Sequence, residues 1–444
     1  MKAKFIAAVF PAFIALRALG TVPSDTLRLS LREAMDTARV NAPGVRLAHS
    51  KSREMDARVG EFRGALLPHI GATAWDAIRS EDLPAMGFSA SALGFGGSGA
   101  SIPNLIKPFN SQDARLNASL SLLDFSAWKR YEASRREQES GGWEERAASE
   151  DAAMRAAAAY LELARARALV SARKSELYLA EQLADVSRAQ KQAGAATRLE
   201  VLRADGQVSS ARSALAAAAG EEEQARYALM LALGTELGTY PELTDTLSLD
   251  DSAPSRSTDT LLPQTLSARP EVASAEKQAE AARAELGALT AMALPTLGLG
   301  ADYGLSGRRL NGNAEWTETV ALQLNWNLWD GGQRQARRGE QKERLRQAEI
   351  RGNVARTAVE QQVRSSLASM RFTRERAEYA LERVKLAEEE TKLEAEQFQS
   401  GASGNLGVIT SQSGLSLAHD SYIDALYGYN RAKVEFFRAV HRLP

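Results

Sequence analysis

The sequence contains no cysteine, and this absence excludes several kinds of chemistry at once. Without thiols the chain cannot form disulfides, thiolate metal sites or a cysteine nucleophile, and an N-terminal cysteine cannot carry a lipid. The histidines are scattered and no acidic residues cluster at metal-ligand spacing: His49, His69, His419 and His441. The sequence therefore predicts no metal site and no cofactor, and no local Ser/His/Asp grouping indicates an enzyme.

Net charge and long apolar runs are also nearly absent. The chain has 55 Lys and Arg against 56 Asp and Glu, so it lacks the basic footprint of a nucleic-acid-binding protein. Its one apolar run, residues 5–16, follows Lys2 and Lys4 and contains Pro11. This pattern predicts a secretory signal peptide over residues 1–20 rather than a membrane anchor. No later segment is long and apolar enough for a helical membrane span.

Aromatic residues make up only 6% of the chain, whereas alanine occurs in runs such as MRAAAAYLELARARAL. Small side chains at regular intervals allow helices to approach closely. Two segments have the 4-3 spacing of a coiled coil, with these apolar positions: Ala152, Ala156, Ala159, Leu163, Ala166 and Val170, and Val359, Val363, Leu367, Met370, Ala377, Leu381 and Val384. The pattern predicts long helices over about 131–193 and 335–400, each roughly 100 Å long.

The chain contains two copies of one unit. LLPHIG, SLLDF and QKQAGAATRLEVL in the first half correspond in order to ALPTLG, NLWDGG and EQFQSGASGNLGVI in the second. These strings predict repeats over residues 21–238 and 260–444, joined by an irregular linker at 239–259. A Gly/Ser/Pro-rich stretch, residues 80–110, lengthens the first copy and is predicted to be a surface loop. In both copies, shorter helical segments precede the strands and follow the long helix, and the first opens with a capping box at Ser30 and Glu33.

Between these helices the apolar period changes to two, which predicts two strands in each repeat. The expected strands are about 68–78 and 114–124 in the first copy and 296–305 and 316–329 in the second. In VALQLNWNLWDGG the alternation separates an apolar set from an amide set: Val320, Leu322, Leu324, Trp326 and Leu328 against Gln323, Asn325 and Asn327. We expect the first set to face lipid and the second a water-filled lumen, although a half-exposed sheet on a soluble domain gives the same alternation.

Four strands cannot close a barrel, and a strand edge in lipid would leave backbone groups unpaired. Other copies of the chain must therefore complete the sheet if it lies in a membrane. Two chains would supply eight strands and three would supply twelve, and strand counting alone leaves both assemblies open.

The duplicated order of LLPHIGATAW, LLDF and GAATRLEVL with ALPTLGLGADY, NLWDGG and GASGNLGVI resembles the TolC-like outer-membrane efflux proteins. The resemblance covers almost the whole mature chain. It implies a mainly α fold with membrane β-structure, in which antiparallel coiled coils form an α-barrel and four strands per chain contribute to a twelve-stranded trimeric β-barrel. The implied function is a passive outer-membrane channel-tunnel that exports small molecules or proteins. Its expected partners are two further copies, a periplasmic adaptor protein and an inner-membrane transporter, as in tripartite efflux or type I secretion. The alternative is a periplasmic coiled-coil adaptor or scaffold without a membrane barrel.

The resemblance also implies roles for the turns that interrupt the heptads. These turns would form the periplasmic mouth where an adaptor docks, with these candidate residues: Gly194, Thr197, Arg198, Gly401, Ser403 and Asn405. Glu200 is the candidate for an acidic ring that narrows the pore, although it could be an ordinary solvated helix residue. The second copy has Gly407 and Thr410 at the corresponding positions, so it does not repeat the acid. Gly331 and Gly332 are expected to form a strand-to-helix turn.

Overall fold

The computed structural model describes residues 26–82, 105–238, 240–250 and 258–441. The expected signal peptide, residues 1–20, lies outside the described residues. The helices are α1 Leu31–Asn41, α2 Pro43–Gly64, α3 Phe125–Gln192, α4 Arg198–Leu233, α5 Thr258–Ala268, α6 Pro270–Ala291, α7 Gln333–Gln399 and α8 Asn405–Ala439. The strands are β1 Thr26–Leu29, β2 His69–Asp82, β3 Leu105–Leu123, β4 Tyr240–Leu243, β5 Thr296–Gly307 and β6 Ala314–Asn325. Within the described residues, no helix combines the length and the apolar character needed to cross a bilayer.

Two helices of 68 and 67 residues, α3 and α7, run the length of the helical layer. Helix α3 begins six residues earlier than the predicted 131, because Asp124 caps it by accepting hydrogen bonds from the amides of Ser126 and Ala127, both at 2.9 Å. The shorter helices break where the sequence dictates. Helix α1 starts at the capping box of Ser30 and Glu33, and the chain restarts as α2 at Pro43.

The heptad positions form the seams between the helices. All the predicted apolar positions are buried except Ala159 and Leu381, which are half-buried. Along one half of the layer the packing order is α4, α3, α8, α7, and along the other half it is α2, α3, α6, α7. The seam between α3 and α8 also contains two ion pairs, from Arg165 to Asp424 at 2.7 Å and from Arg173 to Asp420 at 2.6 Å. The single chain is therefore a curved layer with α2 and α4 at one edge and α7 at the other.

Four strands form one antiparallel sheet in the order β2, β3, β5, β6. Strand β3 pairs with β5, so the hairpins of the two repeats join into a single sheet. Strand β3 begins at Leu105 rather than near 114, and β2 continues to Asp82 rather than ending near 78. The predicted surface loop is therefore strand at both of its ends, and its central residues 83–104 lie outside the described residues. The ladder extends because Leu105 and Ile106 find partners in Asp82 and Glu81.

A second, two-stranded sheet was not predicted. Strand β1 pairs in parallel with β4, which lies inside the segment expected to be an irregular linker at 239–259. Tyr160 of α3 joins β1 to the segment just after β4, since its hydroxyl donates to the Leu29 carbonyl at 3.0 Å and accepts from the Asp245 amide at 3.1 Å. The linker prediction was wrong for these residues because four-residue strands are too short to produce a recognisable alternation.

The two repeats differ at the junctions between their short helices. In the first copy Ala42 precedes Pro43 and Gly44, whereas the second copy has Arg269, Pro270 and Glu271. Arg269 is only 1% exposed and donates to the Arg438 carbonyl and to the Gln362 side chain, both at 2.9 Å. A buried guanidinium thus ties α6, α7 and α8 together at a position where the first copy has a methyl group.

Candidate functional site

One face of the four-stranded sheet is largely apolar, with Asp76 and Glu318 as charged exceptions towards its turn end. Its residues form rows that cross the ladder: Ile70, Ala118, Ala301 and Val320; Leu120, Leu299 and Leu322; Leu297 and Leu324. The side chains of β6 remain in contact with solvent in the single chain, with Val320 76% exposed and Leu322 and Leu324 each 65% exposed. An exposed apolar face of this extent indicates a surface that contacts a membrane or another protein.

The opposite face of the sheet is polar. It carries Gln323 and Asn325 of β6 and these uncharged residues of β3: Asn117, Ser119 and Ser121. Strand β5 contributes Gly298 and Gly300 to this face, and a Cβ at either position would meet only a carbonyl oxygen at 3.8–4.0 Å. The wall on this side is therefore smooth near the helix end of the sheet, which is the end where β3 and β6 finish.

The middle of the polar face carries a charged group, the Arg115 cluster, which consists of Asp113, Arg115 and Asp302. Asp113 is 1% exposed and forms an ion pair with Arg115, whose guanidinium also reaches Asp302 at 2.9 Å. Gly304 lies directly opposite Arg115 in the ladder, and a Cβ there would overlap the Cβ of Arg115 and the carbonyl of Ala114. The glycine therefore allows the arginine side chain to lie flat across β5.

Aromatic side chains lie at the two ends of the apolar face. At the turn end of the sheet, Tyr303 and Trp316 stack with ring centroids 4.8 Å apart. At the helix end, Trp326 is 58% exposed and donates from Nε1 to the Ala293 carbonyl at 3.0 Å, and Trp329 is more exposed still. Belts of Trp and Tyr at both ends of an apolar band are typical of proteins that cross a bilayer.

The predicted final strand is shorter than expected. It ends at Asn325, so Trp326, Asn327 and Leu328 lie beyond the ladder and not on the two faces assigned to them. The last pair joins Asn325 to Thr296, and the preceding Pro295 has no amide hydrogen to extend the ladder. The alternation of apolar residues continues past the point where backbone pairing stops.

Both long helices end in glycine turns. Gly194 and Gly401 have φ angles of 78° and 77°, and the next residues, Ala195 and Ala402, donate their amides back to carbonyls in the last helical turn. Glycine adopts this left-handed conformation without strain, so both turns take the form expected for a helix C-terminus. Gly331 and Gly332 also have positive φ angles, at the start of α7.

The first of these turns contains a second capping box that the sequence analysis missed. Thr197 accepts from the Glu200 amide, and the Glu200 carboxylate accepts from the Thr197 amide at 2.6 Å and its hydroxyl at 3.0 Å. The hydrogen bond from the Thr197 amide, aided by the hydroxyl, holds the pKa of the Glu200 carboxyl below its ordinary value. The Thr-x-x-Glu spacing was the available signal. Arg198, beside it, is exposed.

The second turn departs from the sequence prediction at Asn405. This side chain is completely buried and donates to the Glu200 carbonyl at 2.7 Å, so in the single chain it is not a free docking group. It joins the first turn of α8 to the first turn of α4, because both helices begin at the same level. Ser403 is half-buried, and a Cβ on Gly407 would overlap the Glu394 carboxylate. A carboxylate therefore does lie beside Gly407, supplied by α7.

Helix α7 carries a second heptad stripe that none of the described residues covers. Its members are exposed and spaced by seven: Phe372, Tyr379, Leu386 and Leu393. The buried seam against α8 runs parallel to it, through residues that include Met370, Ala377 and Val384. A helix with two such stripes is built to pack on both sides. No cluster of three or more metal-ligating side chains occurs among the residues that the structure describes.

Comparisons with known proteins agree with this architecture. The family model described as outer membrane efflux protein matches residues 34–235 and 261–440. Outer membrane protein OprJ of Pseudomonas aeruginosa is 28% identical over 270 residues, which are 56% of this chain and 52% of OprJ, so the match spans about half the length of that relative.

Solved structures share the fold at low sequence identity. A membrane protein from Pseudomonas aeruginosa superposes with a TM-score of 0.78 at 21% identity, covering 92% of this chain and 93% of its own. The Campylobacter jejuni CmeC outer membrane channel gives 0.78 at 16% identity, covering 92% and 85%. The Neisseria gonorrhoeae MtrE outer membrane channel gives 0.75 at 20% identity, covering 92% and 88%. The resemblance found in the sequence is confirmed, and this chain belongs to the outer membrane efflux protein family.

Proposed function

We propose that three copies of the chain form one channel-tunnel across the outer membrane and the periplasm. The channel exports small molecules or proteins delivered by a periplasmic adaptor and an inner-membrane transporter. The observation that carries this proposal is the four-stranded sheet with one apolar face, one polar face and two unpaired edges. A periplasmic scaffold without a membrane barrel would not be expected to expose an apolar sheet face of this extent.

The sheet edges require other copies of the chain. Among the strands that the structure describes, β2 and β6 each pair on one side only, and an unpaired backbone group in hydrocarbon costs several kcal/mol. If β6 of one copy pairs with β2 of the next, three copies close a twelve-stranded barrel. Val320, Leu322 and Leu324 then face lipid, while Gln323 and Asn325 face the lumen.

The helical layer requires the same neighbour. The exposed stripe of α7 lies at one edge of the layer, and α2 and α4 lie at the other edge. Helix α4 exposes small residues at heptad spacing, Gly206, Ser213 and Gly220, which offer room for the large α7 side chains of an adjacent copy. One rotation therefore satisfies both the strand edges and the helix edges, and a head-to-tail interface of this kind closes into a ring. Each repeat, 21–238 and 260–444, supplies one coiled-coil hairpin to the tunnel wall.

The hairpin tips are the proposed docking surface for the adaptor. Thr197 and Arg198 at the first turn are exposed, as are Gly194 and Gly401, and Ser403 is partly so. Asn405 has a different role in this proposal, since its hydrogen bond holds the two tips together in the resting state. Opening is then a population shift towards separated tips, favoured by an adaptor that binds the separated state more tightly.

Glu200 remains the proposed pore constriction, with its carboxylate restrained by the capping box. Three copies would form a ring of three such carboxylates near the periplasmic mouth. The channel itself is passive in this proposal, and the transporter supplies the energy for export.

A direct test uses the full-length chain expressed with its own N-terminus. We expect it in the outer-membrane fraction, extractable only with detergent, with a protein mass of three chains by light scattering. The purified protein should form ion-conducting pores in planar bilayers. A monomer that is soluble without detergent would refute the proposal.

A further inference from the structure

The charged residues of the polar face lie in the middle of the sheet and towards its turn end, where Arg79 pairs with Glu81 at 3.2 Å. Nearer to the helix end, no polar-face position of the ladder carries Asp, Glu, Lys or Arg. These positions are occupied by His69, Ser119, Gly300, Ala321, Ser121, Gly298, Gln323 and Asn325. Towards the turn end, Arg79 and Glu315 are of opposite sign. The Arg115 cluster lies between these regions, near the middle of β3 and β5.

The cluster is held rigidly against the wall. Arg115 lies across Gly304 and forms ion pairs with both Asp113 and Asp302, and Asp113 is buried beneath it. Two carboxylates and one guanidinium leave one unbalanced negative charge. Asp113 is 1% exposed, whereas Arg115 and Asp302 are 30% and 26% exposed, so Asp302 is the carboxylate of the cluster that borders the space in front of the sheet.

From this geometry we infer that the barrel has its own charge filter, in which Asp302 favours cationic over anionic solutes on their way out. This inference rests on the proposed trimeric channel, in which three Asp302 side chains form a belt around the barrel lumen. The filter is separate from the ring of Glu200 at the periplasmic mouth, because the long helices lie between the two levels.

The size of the effect follows from Coulomb's law and screening. Three charges roughly 12 Å from a permeating ion in water change its local concentration by on the order of threefold at ~0.01 M salt, where the Debye length is about 30 Å. At ~1 M salt the Debye length falls to about 3 Å, and the filter disappears. Salt dependence therefore distinguishes this charge effect from a change in pore width.

The experiment measures reversal potentials of the reconstituted trimer across a salt gradient. The Asp302→Asn substitution brings the cluster to neutrality, and Asp302→Lys gives it a net positive charge. At low salt we expect the cation-to-anion permeability ratio to fall by about ninefold for the first substitution, because cations lose a roughly threefold enrichment and anions lose a roughly threefold depletion. The second substitution should lower the ratio by a similar further factor. Asp302→Glu keeps the charge and should retain the wild-type ratio.

Glu318 provides the matched control. It pairs with Tyr303, the residue after Asp302, and lies on the opposite, apolar face of the sheet. Glu318→Gln removes the same charge at the same height outside the lumen, so the permeability ratio should not change. If Asp302→Asn and Asp302→Lys both form conducting trimers with the wild-type ratio at low salt, the filter is refuted. If the wild-type chain forms no trimer and no pore, the proposed function itself fails.

Discussion

Arginine substitutions along β6 would measure where the sheet lies in the bilayer. Trp316 lies on the apolar face near the turn end, and Trp326 follows the last ladder pair at the helix end, so these two residues bracket an otherwise apolar band that includes Glu318. Ten residues separate them, and at a rise of ~3.4 Å and a strand tilt of ~40° they span about 25 Å, the height of the apolar band of outer-membrane barrels. The midplane then falls at Ala321, with Val320 and Leu322 within about 3 Å of it.

The substitution with the largest expected cost is Val320→Arg. Arginine on the lipid face costs about 2–4 kcal/mol at the midplane and about 0–1 kcal/mol near the interfaces. Leu324 is only two residues from Trp326, so Leu324→Arg should cost about 1 kcal/mol. Ala321→Arg is the matched control, because Ala321 is adjacent in sequence but lies on the polar face. It should leave stability nearly unchanged and reduce the conductance.

The assay refolds each variant into lipid vesicles and follows unfolding by denaturant, with the heat-modifiable gel band as the measure of folded protein. The order of stability should be Ala321→Arg, then Leu324→Arg, then Val320→Arg as the least stable. If Val320→Arg and Ala321→Arg are equally tolerated, the assignment of the two faces is wrong. If Leu324→Arg costs as much as Val320→Arg, the assignment of the lipid face is retained, but the position of the bilayer midplane at Ala321 is wrong.

The remaining predictions concern the helices. Thr197→Ala should destabilise the start of α4 by about 0.5–2 kcal/mol. Because the pKa of Glu200 is lowered in the folded chain, its carboxylate stabilises this cap above the unfolded-state pKa. That contribution is lost as the pH falls through the folded-state pKa, so amide protection at the turn should decline in acid for wild type and not for Glu200→Gln. Asn405→Ala removes one hydrogen bond, worth about 0.5–1.5 kcal/mol, and should speed proteolysis at both tips, whereas unchanged cleavage would mean that the tips are held by other contacts. Tyr379→Asp should lose roughly 2 kcal/mol of apolar burial per interface and reduce the trimer fraction in light scattering, while Lys385→Asp on another face of α7 should not.

The sequence predicted the helical part of the fold well because its signals are long and periodic. The heptads spanned enough turns to locate α3 and α7 within a few residues, and Pro43 and the glycine turns gave definite ends. Strand ends were less predictable. Alternation continued through Trp326 and Leu328 although Pro295 had already ended the ladder, and the pairing of Leu105 with Asp82 depends on a neighbouring strand that no local pattern specifies.

The candidate site was predictable where a face or a spacing defines it. Alternation separated Val320 from Gln323. The spacing of Thr197 and Glu200 is a sequence signal for a capping box, but the sequence analysis missed it. Asn405 and Asp302 could not be assigned in this way. Their partners, Glu200 and Arg115, lie in the other repeat, and only the folded chain brings the two copies into contact.

Arg269 and Glu271 give the second repeat an ion pair at the junction between its short helices, where the first repeat has Ala42 and Gly44. The junction at Ala42 is packed among apolar residues, whereas at the corresponding junction Glu271 pairs with both Arg269 and Arg438, and Arg269 also donates to Gln362. A gene fusion of two first repeats would therefore lack the Arg269–Glu271 ion pair, and a fusion of two second repeats would carry it twice. Divergence at two positions, Ala42 against Arg269 and Gly44 against Glu271, is enough to give the two repeats different contacts at the same junction.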